Sequence, residues 1–169
     1  MDELKDIEFI TVKTPFGNPS DHYITGLLND IPVAFLARHG AGHRLTPSEI
    51  NYRANIFGFK KIGVEHLISV TAVGSLKEKF SPRDIVIPDQ FLDRTRRVNN
   101  TFFGNGIVAH IPFADPVCPN LSDILFETAQ DMKADVHKGG TLVCIEGPAF
   151  STRAESNLYR SWGMDIIGM

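Results

Sequence analysis

Apolar runs and amphipathic stretches alternate along this chain. Ile7 to Val12, Tyr23 to Leu28 and Pro32 to Ala37 read as strands, the last two joined by the turn signal Asn29-Asp30. Thr46-Pro47-Ser48-Glu49 then reads as a helix start: Thr46 can cap, proline suits the first helical position, and Glu49 falls where a capping box wants a carboxylate. Ile50, Ala54 and Phe57 recur at helical spacing, and Gly63 closes the element. A β-branched run from His66 to Ala72 ends in Val73-Gly74-Ser75, Ile85 to Ile87 is another strand, and Leu121 to Met132 is a second amphipathic helix. Thr141 to Ile145 and Asp165 to Ile167 complete the strands, with an amphipathic segment ending near Trp162 between them. Without linkers, repeats or low-complexity tracts, this alternation predicts an α/β fold, a mixed and mostly parallel central sheet flanked by helices.

Three strand ends carry the candidate chemistry. Glu146 to Ser156 places a Gly-Pro turn, Phe150 and two hydroxyls, Ser151 and Thr152, between a strand and a helix start. Ligands of open α/β sheets bind beyond the carboxyl ends of the strands, so Phe150 can stack on a flat heterocycle; the same segment also suits a capped turn with a core Phe. Arg38-His39-Gly40-Ala41-Gly42-His43 ends the third strand and suits either a small anion pocket or a solvated turn. Thr71-Ala72-Val73-Gly74-Ser75 offers a hydroxyl and backbone donors but lacks the glycine count and lysine of a Walker loop, and taken alone a plain β-turn is its default reading. Together the three point to a phosphate near Arg38 and Thr71 and a base near Phe150.

Composition narrows the class further. With 43% hydrophobic and 22% charged residues the chain has enough apolar material for one core. A net charge of −3 argues against a nucleic-acid partner. No apolar run approaches the roughly 20 residues that span a bilayer and no signal-peptide pattern opens the chain, so no membrane partner is expected. Cys118, a loop residue, and Cys144, a buried strand residue, lack metal or redox spacing and read as reduced thiols of a cytoplasmic protein. His22, His43, His66 and His137 lack carboxylate or thiol partners at ligand spacing, which predicts no metal. Glu155 reads as a helix-start carboxylate, Arg94 to Arg97 as a solvated loop, Asp89 and Asp93 as loop structure around Phe91, and Trp162 as helix-end packing.

Several stretches carry a family resemblance: Thr14 to Asp21, Leu36 to Gly40, Pro47 to Asn55, Thr71 to Leu76, Asp84 to Phe91, His110 to Pro112, and Gly147-Pro148 followed by Phe150 to Ser156. In this order, over nearly the whole chain, they resemble the methylthioadenosine phosphorylases of the trimeric purine nucleoside phosphorylase family. The resemblance implies phosphorolysis of 5′-methylthioadenosine to adenine and 5-methylthioribose 1-phosphate, with inorganic phosphate as co-substrate and no cofactor. It implies phosphate contacts from Arg38, His39, Thr71 and the Ala72 amide. It places Phe150 on the purine, Ser151 close to the base and Met169 on the ribose, in a homotrimer whose His110 reaches a neighbouring subunit's pocket.

Ser151 stands where enzymes of this family acting on 6-oxopurines place Glu, which favours the methylthioadenosine branch; a purine nucleoside or methylthioinosine phosphorylase is the alternative. Residues 1–169 then correspond to a single nucleoside phosphorylase domain, a fragment lacking the family's opening Gly-rich loop and its C-terminal part. The family's purine-binding Asp lies beyond Met169, so no catalytic residue is assigned, and an incomplete, weakly active or inactive piece that only binds nucleoside or oligomerises is the third reading.

Overall fold

The computed structural model describes residues 3–169, which form two compact units. The first runs through Ser69 and takes in Val98–Asn105; the second comprises Val70–Arg97 and Gly106–Met169.

The first unit is built on an antiparallel meander of β1 (Leu4–Ile10), β2 (Tyr23–Leu28) and β3 (Ile31–Phe35). Asn29 and Asp30 both take left-handed backbone, with φ of 50° and 62°. That is the turn whose twist matches paired strands, and it sets the register Leu28↔Ile31 through Ile24↔Phe35. The expected helix start at Thr46 closes only one 3-10 turn, Pro47–Glu49. The Glu49 carboxylate accepts the Thr46 N–H and hydroxyl, each at 2.8 Å, yet Ile50 turns extended at φ −66°, ψ 124°. The α-helix restarts one residue later. Asn51 caps α1 (Tyr52–Lys61) by accepting the Ala54 N–H at 3.1 Å, and Ile50 is buried instead of helical.

Tyr23 joins the helix to the sheet. It is wholly buried, its ring meets Phe59 edge-on at 4.9 Å, and its hydroxyl donates to the Asn55 carbonyl at 2.8 Å. Burial holds the phenol neutral and pushes its pKa up to about 12.

The second unit contains a four-stranded mixed sheet in the order β4 (Gly74–Ser75), β9 (Ile166–Gly168), β8 (Thr141–Cys144), β6 (Gln90–Asp93). A parallel pair, β5 (Ile85–Ile87) with β7 (Val136–Lys138), lies beside α2 (Pro119–Asp131). Within the sheet β9, β8 and β6 run parallel and β4 antiparallel. Val143 on β8 is fully buried with Leu76 and with Tyr159 of α3 (Arg153–Ser161). Removing a side chain like Val143 from water contributes about 1.5–3 kcal/mol.

Two expectations are corrected here. The run His66 to Ala72 forms no strand; only its continuation, Gly74–Ser75, enters a ladder, against Ile167 and Ile166. β-branched residues favour strands through the neighbours they pack against, so the run alone does not make one. Asp89 to Asp93, read as loop structure, contains β6, because the Gln90 to Asp93 backbone matches Thr141 to Cys144 residue for residue.

Candidate functional site

The registers bring several chain segments to one rim of the four-stranded sheet. The carboxyl ends of β6, β8 and β9 lie side by side, with Asp93 opposite Cys144 and Cys144 opposite Gly168. Since β4 is antiparallel to β9, the residues entering β4 reach the same rim: a Cβ placed on Gly168 would lie 3.3 Å from Val73 Cγ1. Ala72 and Thr71 precede Val73 there. Both are exposed, and the Thr71 hydroxyl lies 3.3 Å from the Ala72 carbonyl.

From the end of β8 the chain turns through Gly147-Pro148 and puts Phe150 out into solvent, 88% exposed. Phe150 is thus not packed into the core formed by residues 3–169. Ser151 follows, its Oγ 2.8 Å from Ser156 Oγ on α3. The helix start is fixed reciprocally: Glu155 Oε2 accepts the Thr152 N–H at 2.7 Å and Thr152 Oγ1 accepts the Glu155 N–H at 3.2 Å. The Thr152 N–H, and with it the Thr152 hydroxyl donating to the same Oε2 at 3.0 Å, hold the Glu155 carboxyl below its ordinary range, as a capping group and not a proton donor.

Met169, half-buried, packs on the turn: a Cβ at Gly147 would lie 2.6 Å from its Sδ, at a backbone φ of +69° that only glycine adopts freely. Gly147→Ala should therefore displace Met169 and cost about 1–2 kcal/mol from the left-handed backbone alone. A denaturant midpoint unchanged from the parent would refute this.

Behind the rim, Arg94 N–H donates to the Cys144 carbonyl at 2.8 Å, Thr95 N–H to Asp93 Oδ1 at 2.7 Å, and Arg96 N–H to Glu146 Oε2 at 2.7 Å. The 94–97 stretch is thus tied down, with the Arg94 guanidinium 5.7 Å above the Trp162 ring. Burial, reinforced by Asp93, raises the Cys144 thiol pKa, so this cysteine is protonated and no nucleophile at neutral pH. His110 is exposed on a segment held to β6 by Gln90 Nε2 donating to the Ala114 carbonyl at 2.9 Å and by Phe91 against Phe113 at 5.7 Å.

Arg38 and His39 belong to the first unit, on the loop that leaves β3. The loop is wound tightly: Gly40 N–H to Ala37 O, His43 N–H to Gly40 O and Leu45 N–H to His39 O are all 2.8–3.0 Å. His39 Nδ1 lies 2.8 Å from the Leu45 carbonyl, which can only accept, so Nδ1 carries the proton and donates. The His39 ring stacks on His43 at 4.1 Å. Asp21, which the sequence pattern did not single out, receives the Ala41 N–H at 2.6 Å and the His22 N–H at 2.8 Å, with Arg44 Nη2 at 3.6 Å. The Ala41 amide first, then the His22 amide and Arg44, hold its carboxyl below the ordinary range. The sequence carries Asp21 only as the end of the Thr14 to Asp21 stretch; beyond the adjacent His22 amide its partners, Ala41 and Arg44, lie 20 or more positions on, so its role shows only in the folded loop.

A family model described as the phosphorylase superfamily matches residues 1–169, the full length of the chain. The chain belongs to this superfamily. It is 62% identical to S-methyl-5′-thioadenosine phosphorylase of Geobacter sulfurreducens, covering 100% of this chain and 59% of that one. To the protein of the same name from Thermosynechococcus vestitus it is 59% identical, over 100% and 60% respectively.

Among solved structures, a methylthioadenosine phosphorylase from an antarctic soil metagenomic library superposes with a TM-score of 0.97 at 53% identity, over 100% of this chain and 60% of that one. The Schistosoma mansoni methylthioadenosine phosphorylase in complex with adenine gives 0.95 at 37% identity, over 100% and 69%. The superfamily's mixed α/β fold is therefore the fold of this chain, which spans about three-fifths of the length of the curated relatives it matches.

Proposed function

We propose that the protein catalyses phosphorolysis of 5′-methylthioadenosine, giving adenine and 5-methylthioribose 1-phosphate. One observation carries this choice: Phe150 stands exposed at the carboxyl rim, followed by a neutral Ser151 hydroxyl held by Ser156. A ring there can stack on a purine face. A hydroxyl beside it can donate to the unprotonated N1 of a 6-aminopurine, where a carboxylate would repel that lone pair and select a base carrying N1–H. The names and 59–62% identities of the two curated relatives support the same substrate.

In this reaction the C1′–N9 bond breaks and its electron pair leaves with the purine, which takes up a proton. A phosphate oxygen then bonds to C1′ from the opposite face of the sugar. The phosphate needs preorganised donors, each worth roughly 3–4 kcal/mol when well placed. Arg38, His39, Thr71 and the Ala72 amide fill that role in our reading. Met169, against the Gly147 turn, meets the ribose.

We further read the protein as a cytoplasmic homotrimer in which His110 reaches a neighbour. Val108 (81% exposed) and Ile111 (70%) flank His110 with apolar surface that such a contact would cover. No helix among the described residues is long and apolar enough to cross a membrane.

Adenine release from 5′-methylthioadenosine, assayed with and without inorganic phosphate, tests the reaction. Release that requires phosphate and yields the sugar phosphate is expected. Release without phosphate would make the enzyme a hydrolase. Cleavage of inosine in preference to methylthioadenosine would move it to the 6-oxopurine branch.

A further inference from the structure

Asp21 sits where a carboxylate is least welcome if the 38–45 loop receives an anion, yet every contact around it is accounted for. Behind it, Ser20 is locked to α1: its N–H donates to Asn55 Oδ1 at 2.8 Å and its Oγ accepts from Asn55 Nδ2 at 2.9 Å, with both residues at most 5% exposed. In front, the same dipeptide grips the loop at two points. Asp21 Oδ2 takes the Ala41 N–H, and the Ser20 carbonyl takes Arg44 Nη2 at 3.0 Å.

The backbone is left-handed at Gly40, just before the first grip, and at Gly42 and His43 between the two, with φ of 73°, 75° and 55°. At a histidine this conformation costs about 1–2 kcal/mol and persists only where surrounding contacts impose it. Arg44 also lies across Gly40, where a Cβ would meet its Nε at 2.9 Å. Each carboxylate oxygen accepts one amide N–H and the charge faces Arg44, so Asp21 orders the loop while part of its negative field is offset.

We propose that Asp21 is the positioning residue of the phosphate loop, holding Ala41 and Arg44 so that the segment bearing Arg38 and His39 is preorganised for phosphate. The assignment rests on the reading of that loop as the phosphate site. Preorganisation spares a ligand the cost of ordering its own site. Loss of the clamp is therefore paid in phosphate affinity and not in base affinity. Asparagine at 21 keeps the shape but can accept at only one oxygen, and its amide nitrogen opposes one of the two N–H donors.

The test is calorimetric titration of this chain with inorganic phosphate and, separately, with adenine, for the parent and for Asp21→Asn, Asp21→Ser and Arg38→Ala. Asp21→Asn should weaken phosphate about tenfold, the usual weight of one hydrogen bond to a charged group. Asp21→Ser should weaken it at least as much, and adenine affinity should be unchanged in both. Unaltered phosphate affinity in the two Asp21 variants, with Arg38→Ala impaired, would overturn the assignment and leave the phosphate reading standing. Equal losses of phosphate and adenine would reduce Asp21 to a structural residue. A parent chain that does not bind phosphate, or an Arg38→Ala variant that binds it like the parent, would remove the phosphate reading and this assignment with it.

Discussion

Replacing Arg38 by alanine should weaken inorganic phosphate about 100-fold while adenine affinity stays within about twofold. The guanidinium offers a fork of donors matched to two phosphate oxygens. Hydrogen bonds to charged groups carry roughly 1.5–3 kcal/mol each, so losing a pair at the lower end, about 3 kcal/mol, already gives about a hundredfold. In our reading the base meets the turn after β8, where Ser151 is tied to Ser156 and the Thr152–Glu155 cap follows, so the change at Arg38 leaves those bonds in place. Titration of each ligand separately measures both effects, and equal losses on the two would strip Arg38 of its role.

The largest stability effect should come from Gly58→Ala. In an exposed helix the change would stabilise by about 1 kcal/mol. Here the added Cβ would sit 2.0 Å from Tyr23 Oη and 2.5 Å from Cζ, inside a wholly buried ring. The ring must move, losing its hydrogen bond to the Asn55 carbonyl and its packing on Phe59. Overpacking and a broken buried bond together outweigh the propensity gain, for a net loss of about 3 kcal/mol and a melting midpoint lower by about 10 °C. Adding Tyr23→Phe should restore only part of the loss, because Cζ stays too close. A Gly58→Ala variant melting within about 2 °C of the parent would show that the helix shifts freely on the sheet.

Local chemistry explains which elements were legible in the sequence. The Asn29-Asp30 turn, the Thr152–Glu155 cap and the strands Tyr23–Leu28 and Ile85–Ile87 depend on neighbours a few residues apart or on simple β-branched runs, and they stand where the sequence put them. Pairing partners far along the chain were not legible. Gln90–Asp93 becomes a strand because Thr141–Cys144 lies beside it, and Val136–Lys138 because Ile85–Ile87 does. The same dependence explains the failure of His66 to Ala72, whose composition alone favours a strand. At the site, Phe150 was legible through its Gly-Pro turn, and its exposure keeps it out of the core formed by residues 3–169. The clamping role of Asp21 was hidden because Ala41 and Arg44 reach it only on folding, and the Ser151–Ser156 bond likewise needs α3 in place.

The burial of Tyr23 has a spectroscopic consequence. Its phenol lies wholly inside the first unit and ionises only near pH 12, whereas the chain's single tryptophan, Trp162, lies in the second unit beside Tyr159 and under Arg94. The protein thus carries two native optical reporters. The share of phenolate absorbance that a Tyr23→Phe variant lacks, one tyrosine of three, registers opening of the meander when it appears below pH 12, and indole emission registers melting of the four-stranded sheet. Superimposable traces would mean the halves unfold as one cooperative body, and separated traces would give each its own free energy without any label.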